Sequence, residues 1–335
     1  MRVTETIVRY AAKLAGKSIG VLGAAAVLSM LATPSHGQSA DKKITVTIQP
    51  TTTALPLVVG DKKGIFAKNH LSVQWSVSQV PISDSIAALG RQFDVAMGTQ
   101  PALIAAAGHG LPVVVITGGA LDTTATPTSN IVAKPNANIK SYKDLQGKTV
   151  GTLTLTGNIH FALLNALHKE GVDLNSIKWV IGTVPQLPDL LRAGRVDAIE
   201  EIEPFATSAI SAGGIALGDP FRSIGDRAFI GLWLSNKDWA NSNQDAVLRF
   251  NASLDESVKW IKANTGEAKE ILSSYTGLKG PALERTPIPE FQFATTAADI
   301  ASQLRPDVVE WVDILKRTSD FPPVKPQDLL PAWAK

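Results

Sequence analysis

The stretch that decides the fold is IAALGRQFDVAMGTQPALIAAAGHGLPVVVIT, residues 86–117. Its first residues end a helix that the spacing of apolar side chains predicts over Pro81–Leu89. Phe93–Met97 then reads as a short apolar strand, Pro101–His109 as an Ala-rich helix and Leu111–Thr117 as a second apolar strand. Strands that alternate with helices in this way form a mostly parallel sheet, because each helix carries the chain back across one face of the sheet.

The same alternation extends on both sides of this stretch. Further strands are predicted over Ile44–Ile48, Leu71–Val77, Asn130–Ala133, Lys148–Leu153, Ile177–Ile181, Val196–Ile199 and Phe229–Leu234. Further helices are predicted over Ala54–Lys63, Ser141–Leu145, Ile159–Glu170, Gln186–Ala193, Pro204–Ala212, Asp245–Ala263, Glu267–Tyr275, Ala297–Leu304 and Pro306–Lys316. The Asp- and Thr-rich residues 121–129 interrupt the series and suit a connection or a binding loop. We therefore expect an α/β chain of two lobes, with residues 41–127 and 222–335 in lobe 1 and residues 128–221 in lobe 2.

The amino terminus has the pattern of a secretory signal peptide over residues 1–37. Basic residues are followed by the apolar run Ile19–Leu31, which is too short for a permanent membrane span, and then by small residues. Cleavage is expected after Gly37 or Ala40, and an uncleaved anchor is the alternative. The chain has no cysteine, so the mature protein is not a lipoprotein. We expect a soluble periplasmic protein.

Composition excludes several classes of function. The signal contains four basic residues and one acidic residue, which leaves 28 basic and 29 acidic residues and a net charge near −1. No basic surface for nucleic acid is therefore expected. Without cysteine there is no disulfide and no thiolate ligand or nucleophile, and no two histidines have metal-ligand spacing on a helix. We expect no metal, no cofactor and no catalytic residue.

Several motifs in a fixed order resemble the nitrate/sulfonate/taurine class of periplasmic solute-binding proteins that serve ABC importers. The motifs, with one-letter sequences, are LPL at 55–57, DKKGIF at 61–66, IAALGRQFDVAMG at 86–98, GLP at 110–112, NIVAK at 130–134, IKSYKDLQGKTVG at 139–151, LLRAGRVDA at 190–198 and EPF at 203–205. Each is weak alone, but the set in this order is specific from about residue 44 to residue 205. The remainder matches only loosely.

The resemblance implies a type II periplasmic binding fold, with two lobes joined by two crossover segments and a solute held between them. It implies a monomer that binds a small organic anion or zwitterion, such as a sulfonate, taurine or nitrate, and delivers it to an inner-membrane ABC permease with a separate ATPase. An aromatic acid or a thiamine-type pyrimidine is the alternative solute. The fold class also includes a pyrimidine-synthase-like enzyme, but that activity relies on a cysteine-rich motif that this chain lacks. A receptor for a chemosensor or for another type of importer also stays open.

Candidate ligand contacts come from four strand-to-helix junctions, because ligands of such sheets bind beyond the carboxyl ends of the strands. The first is Thr51, Thr52 and Thr53, whose hydroxyls and free N–H groups suit oxyanion oxygens, with helix capping by Thr53 as the alternative. The second is Gly98, Thr99 and Gln100, which precede a proline at the first helical turn, with a structural turn as the alternative.

The third junction is Thr156, Gly157 and Asn158, which begins the helix that carries His160. A packed or solvated side chain is the alternative role of His160. The fourth contains Glu201 and Glu203, which alternation places on one face of a strand. Capping of the helix that Pro204 begins is the alternative role of Glu203. Two carboxylates would repel a dianion and would favour a solute with an amine or ring N–H donor. Trp233, at the end of the returning strand, is a candidate stacking surface or a core residue.

Overall fold

The computed structural model describes residues 41–135 and 137–334. The expected signal peptide and its cleavage site lie outside these residues. The strands are β1 Lys42–Ile48, β2 Leu71–Val77, β3 Val95–Gly98, β4 Val113–Thr117, β5 Ala120–Thr123, β6 Ser129–Ala133, β7 Thr149–Thr152, β8 Lys178–Ile181, β9 Ala198–Ile202, β10 Ile215–Gly218, β11 Arg227–Phe229, β12 Leu232–Asn236 and β13 Glu290–Phe291.

The helices cover both sides of the sheets. They are α1 Leu55–Lys62, α2 Ile65–Lys68, α3 Ile82–Ala87, α4 Gln100–Gly108, α5 Asn158–Lys169, α6 Leu187–Arg192, α7 Phe205–Ser211, α8 Lys237–Ser242, α9 Gln244–Ala263, α10 Thr265–Thr276, α11 Gly280–Arg285, α12 Ala297–Asp299 and α13 Arg305–Thr318. A π-helical turn at Ile300–Leu304 joins α12 to α13. Short 3-10 turns occupy Thr52–Ala54, Tyr142–Leu145, Leu174–Ser176, Pro220–Ser223, Pro326–Leu329 and Ala332–Ala334.

The strands form two five-stranded sheets, which confirms the two-lobed α/β class. The first has the order β2-β1-β3-β12-β4 and the second the order β10-β6-β9-β7-β8. In the first sheet β1 is parallel to β2 and β3, whereas the returning strand β12 is antiparallel to β3 and β4. In the second, β7 is parallel to β8 and β9, and β6 is antiparallel to β9 and β10. The exact residue boundaries of the two lobes stay a prediction.

A small antiparallel sheet of order β11-β5-β13 lies where the chain passes between the two large sheets. Its β5 strand corrects part of one expectation, because the Thr-rich stretch begins as strand and becomes a loop only after Thr123. The single strand expected over Phe229–Leu234 is also wrong. It is split into β11 and β12 by Ile230 and Gly231, and a Cβ on Gly231 would lie 2.4 Å from Cγ2 of Thr53. The break lies where the chain leaves the small sheet for the first large sheet, and Gly231 allows the Thr53 turn to approach closely there.

Apolar side chains fill the space between sheets and helices. Trp233 of β12 and Phe250 of α9 are fully buried in the core that covers one face of the first sheet. Trp311 of α13 and Phe161 of α5 belong to a second core that continues from the first sheet to the second. Within the described residues, no helix is both long and apolar enough to cross a membrane.

Candidate functional site

Two adjoining cavities lie at the carboxyl ends of the strands, and together they are lined by residues from all four predicted junctions. The first, of about 220 Å³, is called here the Glu203 cavity. Its walls are Thr51, Thr52, Thr53, Thr128, Asn158, Ile159, Ile202, Glu203, Phe221, Ile230, Thr286, Pro287 and Pro289. Among these described residues there is one carboxylate and neither lysine nor arginine.

The second cavity, called here the Phe321 cavity, has a volume of about 690 Å³. Its walls are Pro81, Ile82, Ser83, Thr99, Pro101, Ala102, Ala105, Ala106, His109, Leu111, Thr154, Thr156, Gly157, Asn158 and Phe321. Asn158 lines both cavities. Its Nδ2 donates to the carbonyl oxygen of Ile230 at 3.0 Å, so its amide links the start of α5 to the segment that returns to the first sheet.

The first junction lies in the Glu203 cavity. Thr51 has extended backbone, and neither its side chain nor that of any neighbour caps the short 3-10 turn or α1. Helix capping, the alternative role of Thr53, is therefore wrong. The carbonyl oxygen of Thr51 accepts a hydrogen bond from the hydroxyl of Tyr275 at 2.9 Å, which ties the turn to α10. The three hydroxyl groups are thus placed beside one cavity without being used as helix caps.

Only Thr99 of the second junction lines a cavity. It precedes α4 and makes no side-chain capping bond. A Cβ on Gly98 would lie 2.4 Å from Cδ1 of Leu234, so this glycine is required by packing between β3 and β12. Gln100 is fully buried, and its Nε2 donates to the carbonyl oxygen of Phe229 at 3.0 Å and to both carboxylate oxygens of Asp307 at 3.0 and 3.2 Å. Gly98 and Gln100 therefore hold the junction together and line neither cavity.

The third junction lies in the Phe321 cavity, but His160 does not. Its Nδ1 is 2.8 Å from Oε1 of Glu200, whose Oε2 accepts a hydrogen bond from the hydroxyl of Thr152 at 2.7 Å. The imidazole also packs edge-on against Trp179, with ring centroids 4.4 Å apart. The prediction of ligand contact is corrected: His160 is one turn or less from Asn158 and fixes the start of α5 on β9.

The two carboxylates of the fourth junction have different surroundings. Glu203 lines the cavity that bears its name, and its Oε2 accepts a hydrogen bond from the N–H of Thr207 at 3.2 Å. Glu201 is fully buried and lines neither cavity. Its Oε1 accepts a hydrogen bond from the N–H of Ile202 at 2.9 Å, and its Oε2 has no partner among the described residues. Burial, reinforced by Glu203, raises the pKa of Glu201 to about 8, so the prediction of a charged ligand contact there is corrected.

Trp233 lies in the core and not at the cavities. It is fully buried, and its ring meets that of Phe250 edge-on with centroids 5.6 Å apart. The face that would have to stack on a ligand is covered by protein. The prediction of a stacking surface is corrected in favour of its alternative, a core side chain.

Residues that the sequence did not single out complete the walls. Thr128 belongs to the Thr-rich stretch, whose composition was a signal for a binding loop. The carbonyl oxygen of Thr128 accepts a hydrogen bond from the N–H of Glu203 at 3.0 Å, which joins that loop to the end of β9. Thr286 and Phe321 come from the carboxyl-terminal part of the chain, where no local pattern marks them. Within the described residues, no group of three or more His, Asp or Glu is arranged to hold a metal ion.

The substitution Glu201→Gln is expected to remove a pH dependence of stability. An acid with a pKa raised from 4.5 to about 8 is protonated in the folded protein over a range in which the unfolded chain is ionised. Its contribution to stability therefore falls as the pH rises from about 4.5 to about 8, by about 1.4 kcal/mol for each unit of pKa difference. Urea unfolding at pH 5 and pH 8.5 measures this, and the variant should lose less stability between them than the wild type. Equal losses would show that Glu201 is ionised in the folded protein.

Comparison with protein-family models places this chain in a known family. Residues 49–268 match the family described as NMT1/THI5 like. Because this match covers more than half of the chain, the protein belongs to the NMT1/THI5-like family. It is also 27% identical over 259 residues to a protein of Haemophilus influenzae that is assigned by name to thiamine biosynthesis, a match that covers 74% of this chain and 76% of that one.

Solved structures confirm the fold. The periplasmic aliphatic sulphonate binding protein SsuA of Escherichia coli is similar with a TM-score of 0.68 at 18% identity, over 86% of this chain and 96% of that one. The alkanesulfonate-binding protein SsuA of Xanthomonas axonopodis pv. citri, bound to MOPS, is similar with a TM-score of 0.62 at 17% identity, over 88% and 96%. The resemblance that the motifs indicated is thus confirmed at the level of family and fold.

Proposed function

We propose that the protein is a periplasmic solute receptor that binds a small molecule in the Glu203 and Phe321 cavities and delivers it to an ABC importer. Export is supported by the signal-peptide pattern, and solute binding by the family, the fold and the two cavities. The permease and ATPase are separate chains in this proposal, and the receptor itself catalyses no reaction. Binding would draw the two sheets together around the solute, because the solute gains contacts from both only when they approach.

One observation supports a particular chemistry of the solute: the described walls of the Glu203 cavity offer hydroxyl groups and a carboxylate but no basic side chain. An anion held there would face Glu203 without a compensating cation, and such an arrangement is unfavourable. An ammonium group or a ring amine is attracted instead. A zwitterion such as taurine, or an amino-substituted pyrimidine, therefore fits better than nitrate or a simple sulfonate. The thiamine-related name of the Haemophilus influenzae relative supports the pyrimidine.

Paired ligands test the role of Glu203. Taurine and ethanesulfonate differ only by an amino group, and taurine is expected to bind the purified protein at least about tenfold more tightly, as one good charge-assisted hydrogen bond contributes about 1.5–3 kcal/mol. Titration calorimetry measures both affinities, and 4-amino-5-hydroxymethyl-2-methylpyrimidine is titrated in parallel.

The variant Glu203→Gln should remove the preference for taurine. Glu284→Gln is the matched control, since Glu284 is exposed and lines neither cavity, and it should keep the preference. If neither amine binds saturably, or if ethanesulfonate binds as well as taurine, the proposed class of solute is wrong.

A further inference from the structure

The Phe321 cavity is more than three times as large as the Glu203 cavity, with about 690 Å³ against about 220 Å³. Its size has a cause in the sequence. Ala102, Ala105 and Ala106 follow the i, i+3, i+4 spacing that places side chains on one face of a helix, and that face of α4 forms one wall. Because alanine side chains are small, this face leaves empty the volume that leucine or phenylalanine side chains would fill.

Residues outside α4 add further apolar wall, and one of them is held in place by packing. Phe321 follows α13, and its ring packs edge-on against Phe161 of α5 with centroids 5.6 Å apart. Ile82 and Leu111 add further apolar surface. None of the described residues that line this cavity is Lys, Arg, Asp or Glu. His109 is the one titratable side chain among them, and its Nδ1 lies 2.7 Å from the carbonyl oxygen of Ala105. A carboxylate or ammonium group placed here would meet no Lys, Arg, Asp or Glu, whereas an apolar group would leave water for a matching surface.

The polar residues of the Phe321 cavity are Ser83, Thr99, His109, Thr154, Thr156 and Asn158, and the last three form the side that leads into α5. This side adjoins the Glu203 cavity, because Asn158 lines both. The hydrogen bond from Asn158 to Ile230 stands between the two spaces. A single ligand that spans them would place its polar end near Glu203 and pass Asn158 with its apolar part.

Sites for small molecules have volumes of about 300–1,000 Å³, mostly apolar walls and a few placed polar groups. The Glu203 cavity alone is below this range, and the Phe321 cavity meets it. From this juxtaposition we propose that the solute has two parts: an amine or ring N–H group beside Glu203, and an alkyl or aromatic group seated in the Phe321 cavity. The proposal rests on the proposed function and narrows it, since taurine would then fill only the polar end of the site.

A series of n-alkylamines from ethylamine to hexylamine tests the proposal on the purified protein. Each methylene that enters an apolar cavity is expected to raise the affinity about threefold to fourfold. Ala105→Phe fills the cavity, so the gain in affinity for each added methylene should disappear. Ala102→Leu is a milder second variant, and far-ultraviolet circular dichroism checks that both variants are folded. The proposal is wrong if affinity does not rise with chain length in the wild type. It is also wrong if affinity rises equally with chain length in both folded variants.

The same series separates this inference from the proposed function. In Glu203→Gln, ethylamine should bind more weakly, but the gain for each methylene should stay the same. If ethylamine binds equally to the wild type and to Glu203→Gln, the proposed role of Glu203 is wrong. The gain in affinity for each methylene still tests the role of the Phe321 cavity in that case.

Discussion

Replacing Arg222 by methionine is expected to lower the free energy of unfolding by about 3–5 kcal/mol at pH 8, because it leaves buried carboxylates without their cation. The guanidinium of Arg222 binds Asp122, and its Nε donates to Oδ2 of Asp219 at 3.0 Å. The side chain of Asp122 is fully buried and that of Asp219 is 7% exposed. Methionine keeps most of the length of the side chain, so the loss measures charge and hydrogen bonding more than volume.

The loss of stability caused by Arg222→Met should be smaller at pH 5. Burial, together with the neighbouring Asp122, raises the pKa of Asp219 to about 7 even with Arg222 in place. Below that pH Asp219 binds a proton in the folded protein, and one of the two negative charges disappears. The penalty of removing Arg222 therefore grows as the pH rises through 7. The double variant Arg222→Met/Asp219→Asn should recover much of the stability at pH 8 for the same reason.

Arg192→Met is the matched control. Arg192 pairs with Asp189 at 2.9 Å, but both side chains are about 70% exposed, and such surface pairs contribute little. Urea unfolding at pH 5 and pH 8 measures all four proteins. If Arg222→Met and Arg192→Met lose the same small amount, the buried cluster does not stabilise the fold.

The cluster around Arg222 also lies at the place where the two large sheets are connected. Asp122 belongs to β5, whereas Asp219 and Arg222 lie beyond β10 on the second passage of the chain. Oδ2 of Asp122 further accepts hydrogen bonds at 2.7 Å from both the N–H and the hydroxyl of Thr128. Ion pairs therefore fasten the two connections to each other next to the loop that supplies Thr128 to the Glu203 cavity. A relative movement of the sheets on solute binding would turn about this fastened region.

Much of the fold was predictable because local spacing determines its elements. The alternation of apolar and polar residues over Leu71–Val77 predicted β2 with both ends correct. The helix with Pro101 in its first turn was also found, one residue away from the observed α4 at each end. The break at Gly231 was not predictable, since β11 and β12 pair in different sheets with strands that are far away in the sequence.

The candidate site was predictable only in its outline. Parallel strands end at the same edge of a sheet, so the junctions at Thr51 and Thr99, which follow the parallel strands β1 and β3, had to lie at one edge of the first sheet. Asn158 follows β7 of the second sheet, and its approach to Thr51 depends on how the two sheets pack. Which side chains at a junction face outward is decided by partners that are distant in the chain. Gln100 faces inward because Phe229 and Asp307 accept its hydrogen bonds. Strand alternation placed Glu201 and Glu203 on one face, but the strand ends at Ile202, and alternation fails beyond its end.

Substitution of Trp233 is the second change that should have a large effect on stability. It also tests whether this residue, which the sequence analysis places at the site, belongs to the core. Trp233→Ala is expected to lower the free energy of unfolding by about 3–5 kcal/mol, the range for buried large aromatic side chains. Trp233 lies on β12, between β3 and β4 in the first sheet, and packs against Phe250. The edge-strand residue Trp75 is only half-buried, so Trp75→Ala should lose clearly less.

Trp233→Leu separates packing from ligand contact. The indole Nε1 of Trp233 has no hydrogen-bond partner among the described residues, so leucine removes no hydrogen bond and keeps part of the apolar volume. The variant should unfold more easily than the wild type. It should bind taurine within about twofold of the wild-type affinity, a change of under about 0.5 kcal/mol, because Trp233 lines neither cavity. Chemical unfolding followed by circular dichroism, with calorimetric titration well below the unfolding temperature, measures both quantities. A folded Trp233→Leu protein that has lost its affinity for taurine would return Trp233 to the ligand site and contradict its place in the core.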